Sequence, residues 1–316
     1  MKQAPQWLKT SEFTISQTHL IYYQNIKKDF MTKIIACIDG SNYAKNICNL
    51  SVWAADKAKP KILVLHVIKS HLQIAAKIDL SGSIGFGAKS ELLQELTEID
   101  EAYSKLEQRK GQIILDQAKE EFKSRGINEL EILYQRGSLV DSLLEIESEA
   151  ELIILGKSGE SVNNSKNYLS SNLERVIRAL HKPILVATKE AKEIKSFLIA
   201  YDGSLSAKKA VDYIASNPLL KGLECHLLKV SANEDEATKI LGEAKKKLEE
   251  SGFLVQAKVK NNTFVADAIG EYVDNNAIDL LVIGAYGHSK IHNLILGSTT
   301  TQLIAKSNIS LLLFRI

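Results

Sequence analysis

Gly284-Ala285-Tyr286-Gly287-His288-Ser289-Lys290-Ile291-His292-Asn293-Leu294-Ile295-Leu296-Gly297-Ser298-Thr299-Thr300 is the stretch on which the reading of this chain turns. An apolar run, Asp279-Leu280-Leu281-Val282-Ile283, precedes it and reads as a buried strand. The following Thr301–Lys306 reads as a short helix. The stretch is therefore a strand, a glycine-punctuated loop and a helix start carrying three hydroxyls. Glycine lets backbone N–H groups come close to an anion. A helix start offers unpaired N–H groups and the positive end of the helix dipole. This is chemistry suited to a phosphate. One such glycine could be a plain strand-end turn, and Gly297-Ser298 a plain helix cap.

Working outward, the same order of elements occurs twice. Phe197-Leu198-Ile199-Ala200-Tyr201-Asp202-Gly203-Ser204 mirrors Ile34-Ile35-Ala36-Cys37-Ile38-Asp39-Gly40-Ser41. In the first copy, strands are expected at Lys33–Ile38, Ile62–Ile68, Glu131–Gln135, Leu152–Leu155 and Pro183–Thr188, with helices at Tyr43–Lys57, Glu91–Arg125, Leu139–Glu149 and Ser171–Leu180. In the second copy, strands are expected from Phe197, at Leu223–Val230, Phe253–Val259, Asp279–Ile283 and Ile309–Phe314. Helices fall at Asp235–Ser251 and Phe264–Asn275. Gly126 and Gly252 stand where C-terminal cap glycines belong. Strands that are apolar throughout and alternate with helices imply a parallel sheet covered on both faces. Right-handed crossovers then give two tandem doubly wound α/β domains of five parallel strands, Rossmann-like, with ligand sites at the carboxyl ends of the strands.

The 316 residues suit two such domains. The divisions expected are an N-terminal extension at 1–31, a first domain at 32–189, a linker at 190–195 and a second domain at 196–316. Met31 stands immediately before the first strand, so the extension is either a poorly ordered arm or a start assigned too far upstream. A net charge of +2 gives no reason to expect a nucleic-acid surface. No apolar run reaches the length of a membrane span, and no secretory leader is visible. Cys37, Cys48 and Cys225 have no metal-ligand spacing, and Cys37 and Cys225 read as buried thiols suited to a reducing cytoplasm.

The G-x2-G-x9-G-S spacing of Gly284, Gly287, Gly297 and Ser298 resembles the signature of the universal stress protein family in its nucleotide-binding branch. The whole chain resembles a tandem member, with the likeness covering both copies. It is not a Walker A loop, since no G-x4-G-K-S/T occurs. The resemblance implies an adenine nucleotide, ATP with or without Mg2+, in the second domain. Asp202 would contact the adenosine, with Ala200 at the adenine edge and Val230 packed on the base. Ile283 and Gly284 would pass beside the nucleotide, and Gly287, Gly297, Ser298, Thr299 and Thr300 would hold phosphate and ribose. Asp202 equally suits a cap on the next helix, and Val230 equally suits the core. His288, Lys290 and His292 are the loop's cationic or potentially cationic groups, none assigned a catalytic role.

The first copy departs from this pattern. Asp39 and Val67 match the base side, and Gly156 and Gly159 keep two glycines. The third is missing; Ser170 or Ser171 stands near the hydroxyl position, and the loop looks about two residues longer. Either this crevice loses affinity, the favoured reading, or Lys157 and the serines build another anion site. Residues 82–87 could form a lid over it, or a plain solvent loop. The resemblance further implies that the two fifth strands pair inside one chain, with a homodimer and protein partners left open. Three functions are carried forward: a non-catalytic ATP-binding stress-response module, a slow ATPase or autophosphorylating enzyme, and a nucleotide-free scaffold. The second would need Mg2+-holding carboxylates that the glycine loop lacks.

Overall fold

The structure is a computed structural model. It describes residues 32–68, 86–159, 170–190, 192–261, 264–285 and 296–315, and within these the side chains of all but 86–93 and 96. Among the described residues, ten strands form one sheet. In chain order they are β1 (Lys33–Cys37), β2 (Lys61–Ile68), β3 (Glu131–Arg136), β4 (Ala150–Gly156), β5 (Ile184–Ala187), β6 (Ser196–Ala200), β7 (Glu224–Val230), β8 (Val255–Lys260), β9 (Leu280–Gly284) and β10 (Ser310–Phe314). Their spatial order is β3-β2-β1-β4-β5-β10-β9-β6-β7-β8. Each half contributes five parallel strands. The halves join where β5 and β10 pair antiparallel, Leu312 opposite Leu185.

That seam has a simple cause. Ile184–Ala187 and Ser310–Phe314 are buried at every residue. Either strand left as a free edge would expose an apolar, unpaired ladder. The true edges are β3 and β8, and β8 carries Gln256, Lys258 and Lys260, residues that discourage further pairing.

Among the described residues, eight helices cover the two faces: α1 (Ala44–Ala58), α2 (Phe86–Ser124), α3 (Leu139–Ile146), α4 (Ser171–Ala179), α5 (Leu205–Ser216), α6 (Glu234–Glu250), α7 (Val265–Asn275) and α8 (Ser298–Lys306). On one face Ile47 of α1, Phe122 of α2, Ala210 of α5 and Leu248 of α6 share a core with Ile34 and Leu312. On the other, Leu143 of α3, Val176 of α4, Ile269 of α7 and Ile304 of α8 pack on Ile153 and Leu281. Each core runs unbroken across the β5–β10 seam. Helix ends follow local chemistry. Asn233 caps α6 by accepting from Glu236 N, and Gly126 and Gly252 sit at φ +83° and +87° after α2 and α6, where a Cβ would be strained.

Three elements differ from expectation. The segment read as Leu139–Glu149 is α3 followed by a separate 3-10 turn, Glu147–Glu149. Phe253 precedes β8 and packs in the core instead of opening the strand. Phe86 and Gly87 belong to α2, so the rest of the expected lid, like the extension at 1–31, lies outside the described residues. All three cysteines are unpaired and buried, Cys48 included, and burial pushes the Cys48 and Cys225 thiols up to about 12.

Candidate functional site

Two crevices open at the carboxyl ends of the strands, one in each half. Ser196 through Ala200 pair with β7 in the register in which Lys33 through Cys37 pair with β2, so Asp202 corresponds to Asp39 and Val230 to Val67.

The second-half crevice has a cavity of about 300 Å3. Of the ten residues predicted for this site, nine line it: Ala200, Asp202, Val230, Ile283, Gly284, Gly297, Ser298, Thr299 and Thr300. Gly287 lies outside the described residues, as do His288, Lys290 and His292. The sequence did not single out Tyr201, Leu228, Val265, Ile269 and Leu303, which complete the lining. Val265 and Ile269 stand one turn apart on the first turns of α7, a helical spacing that could have pointed to them.

Each predicted group has a definite local role. Asp202 is exposed and accepts from Ser204 N at 2.9 Å, an Asx turn that sets up Ser204 as the cap of α5. Its backbone carbonyl accepts from Lys229 Nζ at 3.0 Å. Thr300 is buried and donates to Gly284 O at 3.4 Å, tying the start of α8 to the end of β9.

The two described glycines are glycines for different reasons. A Cβ on Gly284 would collide with Ser206 Oγ and lie 2.9 Å from Ala207 N, so this position is dictated by the approach of α5 to the strand. Among the described residues, a Cβ on Gly297 would meet only Thr300 Oγ1, at 3.7 Å, which is ordinary contact. Gly297 has φ −59°, a backbone any residue adopts. Among the described residues, nothing packs closely enough on Gly297 to demand glycine there. As the N-cap of α8 it offers no side chain, and among the described residues no side chain accepts from the N–H groups of Ser298, Thr299 or Thr300. The first turn of α8 holds no acidic residue.

The first-half crevice has a cavity of about 350 Å3. Asp39, Val67, Gly156, Gly159 and Ser170 line it, and Ser171 does not. Asp39 makes the same turn as Asp202, accepting from Ser41 N at 3.1 Å. Gly156 is held by packing like Gly284, since its Cβ would fall 2.7 Å from Tyr43 Cβ. Ser170 occupies the position of Gly297, as N-cap of α4, and its hydroxyl accepts from Leu173 N at 3.2 Å. Leu173, fully buried, stands where Thr300 does, and Glu174 adds a carboxylate to the first turn. The intervening loop spans 157–169 against 285–296, one residue longer and not two.

Lys157 corrects one expectation. It is no part of an anion site in its own half. Its Nζ reaches across the seam and donates to Ala305 O at 2.6 Å and Ser307 O at 2.9 Å, the carbonyl end of α8. Half-buried there, its ammonium is desolvated and its pKa lies below the usual lysine value. Arg315 makes the reciprocal contact, donating to Arg178 O at the end of α4. Each half thus holds the far end of the helix whose start faces the other half's crevice.

These features define a tandem, doubly wound α/β protein with a crevice at each carboxyl edge. The model of the universal stress protein family matches residues 31–188 and 231–315, and the chain belongs to that family. The second matched segment begins at Ser231, so β6 and β7, with Asp202 and Val230, are related to the first half by sheet register. The chain is 38% identical over 288 residues to universal stress protein Slr1230 of Synechocystis sp., covering 90% of this chain and all of that one. A universal stress protein structure from Archaeoglobus fulgidus superposes with a TM-score of 0.61 at 19% identity, covering 90% of this chain and 98% of that one. A second structure, from Pseudomonas aeruginosa, gives 0.57 at 14%, covering 90% and 93%. No helix among the described residues is long and apolar enough to cross a membrane.

Proposed function

We propose that this chain is an ATP-binding, non-catalytic stress-response module, with ATP in the second-half crevice and the first half as its built-in pairing partner. The observation that carries this reading is Gly297. Its packing against the described residues tolerates a Cβ, yet the residue is glycine, and among those residues no side chain caps the first turn of α8 beside Ser298 and Thr299. A phosphate seated there would meet backbone donors and the helix dipole together. Asp202 and Val230 would take the adenosine, and Gly287 would join the phosphate loop. The two halves and their linker, 32–189, 190–195 and 196–316, form the proposed domain organisation. Three unpaired, buried cysteines suit a reducing, cytoplasmic setting.

Hydrolysis and autophosphorylation rank lower. Asp202 is the one carboxylate among the described lining residues, and it is engaged with Ser204 N. Mg2+, if it accompanies ATP, would be held chiefly by the phosphates. The test is to denature freshly purified protein and identify released nucleotide by chromatography and mass. ATP near one equivalent per chain supports the reading. ADP or AMP moves hydrolysis forward. An empty protein whose melting does not respond to ATP and Mg2+ favours the scaffold instead. Gly297→Val should abolish both the bound nucleotide and the thermal response.

A further inference from the structure

We propose that the first-half crevice is a second ligand site, for a neutral molecule of nucleoside size, and that it turns phosphates away. The cavity, about 350 Å3, is somewhat larger than its partner and falls within the range of small-molecule pockets. Its apolar side is kept, with Val67, Leu139 and Leu155 in the lining. Asp39 holds the register position of Asp202.

Two features are new to this half. The first is a wall with no counterpart. α2 runs for 39 residues against 17 in α6, and its additional turns bring Tyr103 and Glu107, followed by Lys110, to the cavity. No residue of α6 lines the second crevice. Tyr103 offers a ring at the rim, half exposed, on which a flat heterocycle can rest.

The second is the closed anion end. Ser170 takes the Leu173 N–H, Leu173 replaces a threonine, and Lys157 is committed to the carbonyl end of α8. Asp39 and Glu107 supply two carboxylates to the described lining against one lysine, Lys110. Carboxylates accept hydrogen bonds from hydroxyl and amino groups and repel phosphate. The combination fits an uncharged ring system bearing hydroxyl or amino donors. This assignment stands whether or not the second crevice holds ATP.

Equilibrium dialysis with labelled adenosine tests it on the full chain. With ATP saturating, adenosine should still bind at about one equivalent per chain, and AMP should compete at least about tenfold less well than unlabelled adenosine. Val67→Trp, filling the first crevice, should remove this binding, and Val230→Trp should leave it; thermal melting of both variants checks that they fold. Displacement of adenosine by ATP, equal competition by AMP, loss in Val230→Trp instead of Val67→Trp, or no saturable adenosine binding would each overturn the proposal. Failure of ATP to bind the wild type would instead overturn the proposed function, and adenosine titration alone would still decide this one.

Discussion

The helix after β9 starts on a bare glycine, while the helix after β4 starts on a serine that caps itself. Both follow a strand-end glycine held by packing, and both face a crevice with an aspartate turn at its other wall. The halves therefore share a scaffold and differ in what is done with the backbone donors of this first turn. In the first half the Leu173 N–H is taken by the Ser170 hydroxyl. In the second no side chain among the described residues takes the corresponding Thr300 N–H. A fold can keep its architecture through such a change because exchanging serine and glycine at a cap alters stability only locally, by about a few tenths of a kcal/mol, while the sheet and its two cores are untouched.

The largest expected effect tests the shared part. Gly284→Ala drives a Cβ into Ser206 and the backbone of Ala207 and should cost about 3 kcal/mol of unfolding free energy. Gly156→Ala, against Tyr43, should cost a similar amount. Denaturant titration showing either change neutral would mean the strand–helix approach is looser than these distances.

Next comes the strut between the halves. Lys157→Met strips the carbonyl end of α8 of a cation and two donors, and should cost about 1–2 kcal/mol in the same titration. If nucleotide affinity falls as well, the first half positions the helix on which the second-half site depends. A variant as stable as wild type would leave the two crevices mechanically independent.

The sharpest exchange swaps the helix starts. Gly297→Ser gives α8 the self-capping start of α4. It should leave unliganded stability unchanged or raise it by a few tenths of a kcal/mol, while ATP affinity falls about tenfold. Stability and affinity moving in opposite directions is the signature sought, by melting without ligand and by calorimetry with ATP. A variant that binds ATP as well as wild type would remove Gly297 from the phosphate site.

How far the sequence speaks depends on whether a feature is local. The strands are legible because they are apolar at nearly every position, and the family resemblance implies that the runs Pro183–Thr188 and Ile309–Ile316 pair, which the β5–β10 ladder realises. Cap glycines at 126 and 252 were legible because the αL conformation is a one-residue demand. Six of the nine site residues fall together because the motif fixes their spacing on the end of β9 and the start of α8, while Ala200, Asp202 and Val230 join them from the ends of β6 and β7. What could not be read is tertiary. Lys157 looks like a loop cation beside two serines, and only the antiparallel seam brings Ala305 within its reach. Gly284 reads from the sequence as a glycine beside the nucleotide, and only the fold shows that Ser206 also packs against it. Ser170 was placed near the hydroxyls, when its backbone stands where Gly297 does.

The smallest effect is a pH dependence in which two lysines of the first half have opposite signs. Lys157 is desolvated, so its folded pKa lies below the ordinary 10.5. Between those two values the unfolded chain holds a proton that the folded chain has released, and stability rises with pH. The cost of burying the charge is thus present in full at neutral pH and is relieved just below 10.5. Lys33 is bonded to Glu131 and Glu149, and its folded pKa lies above 10.5. Its contribution is complete below 10.5 and is lost as pH rises through the folded value. Other titrating groups cancel when each variant is subtracted from wild type at matched pH. The difference between wild type and Lys157→Met should therefore move in favour of wild type on approaching 10.5 from below. The difference between wild type and Lys33→Met should move against wild type above 10.5. Two flat difference curves would show that neither lysine feels its surroundings; two curves of the same sign would show that the strut across the seam acts as an ion pair and not as a buried cation on helix carbonyls.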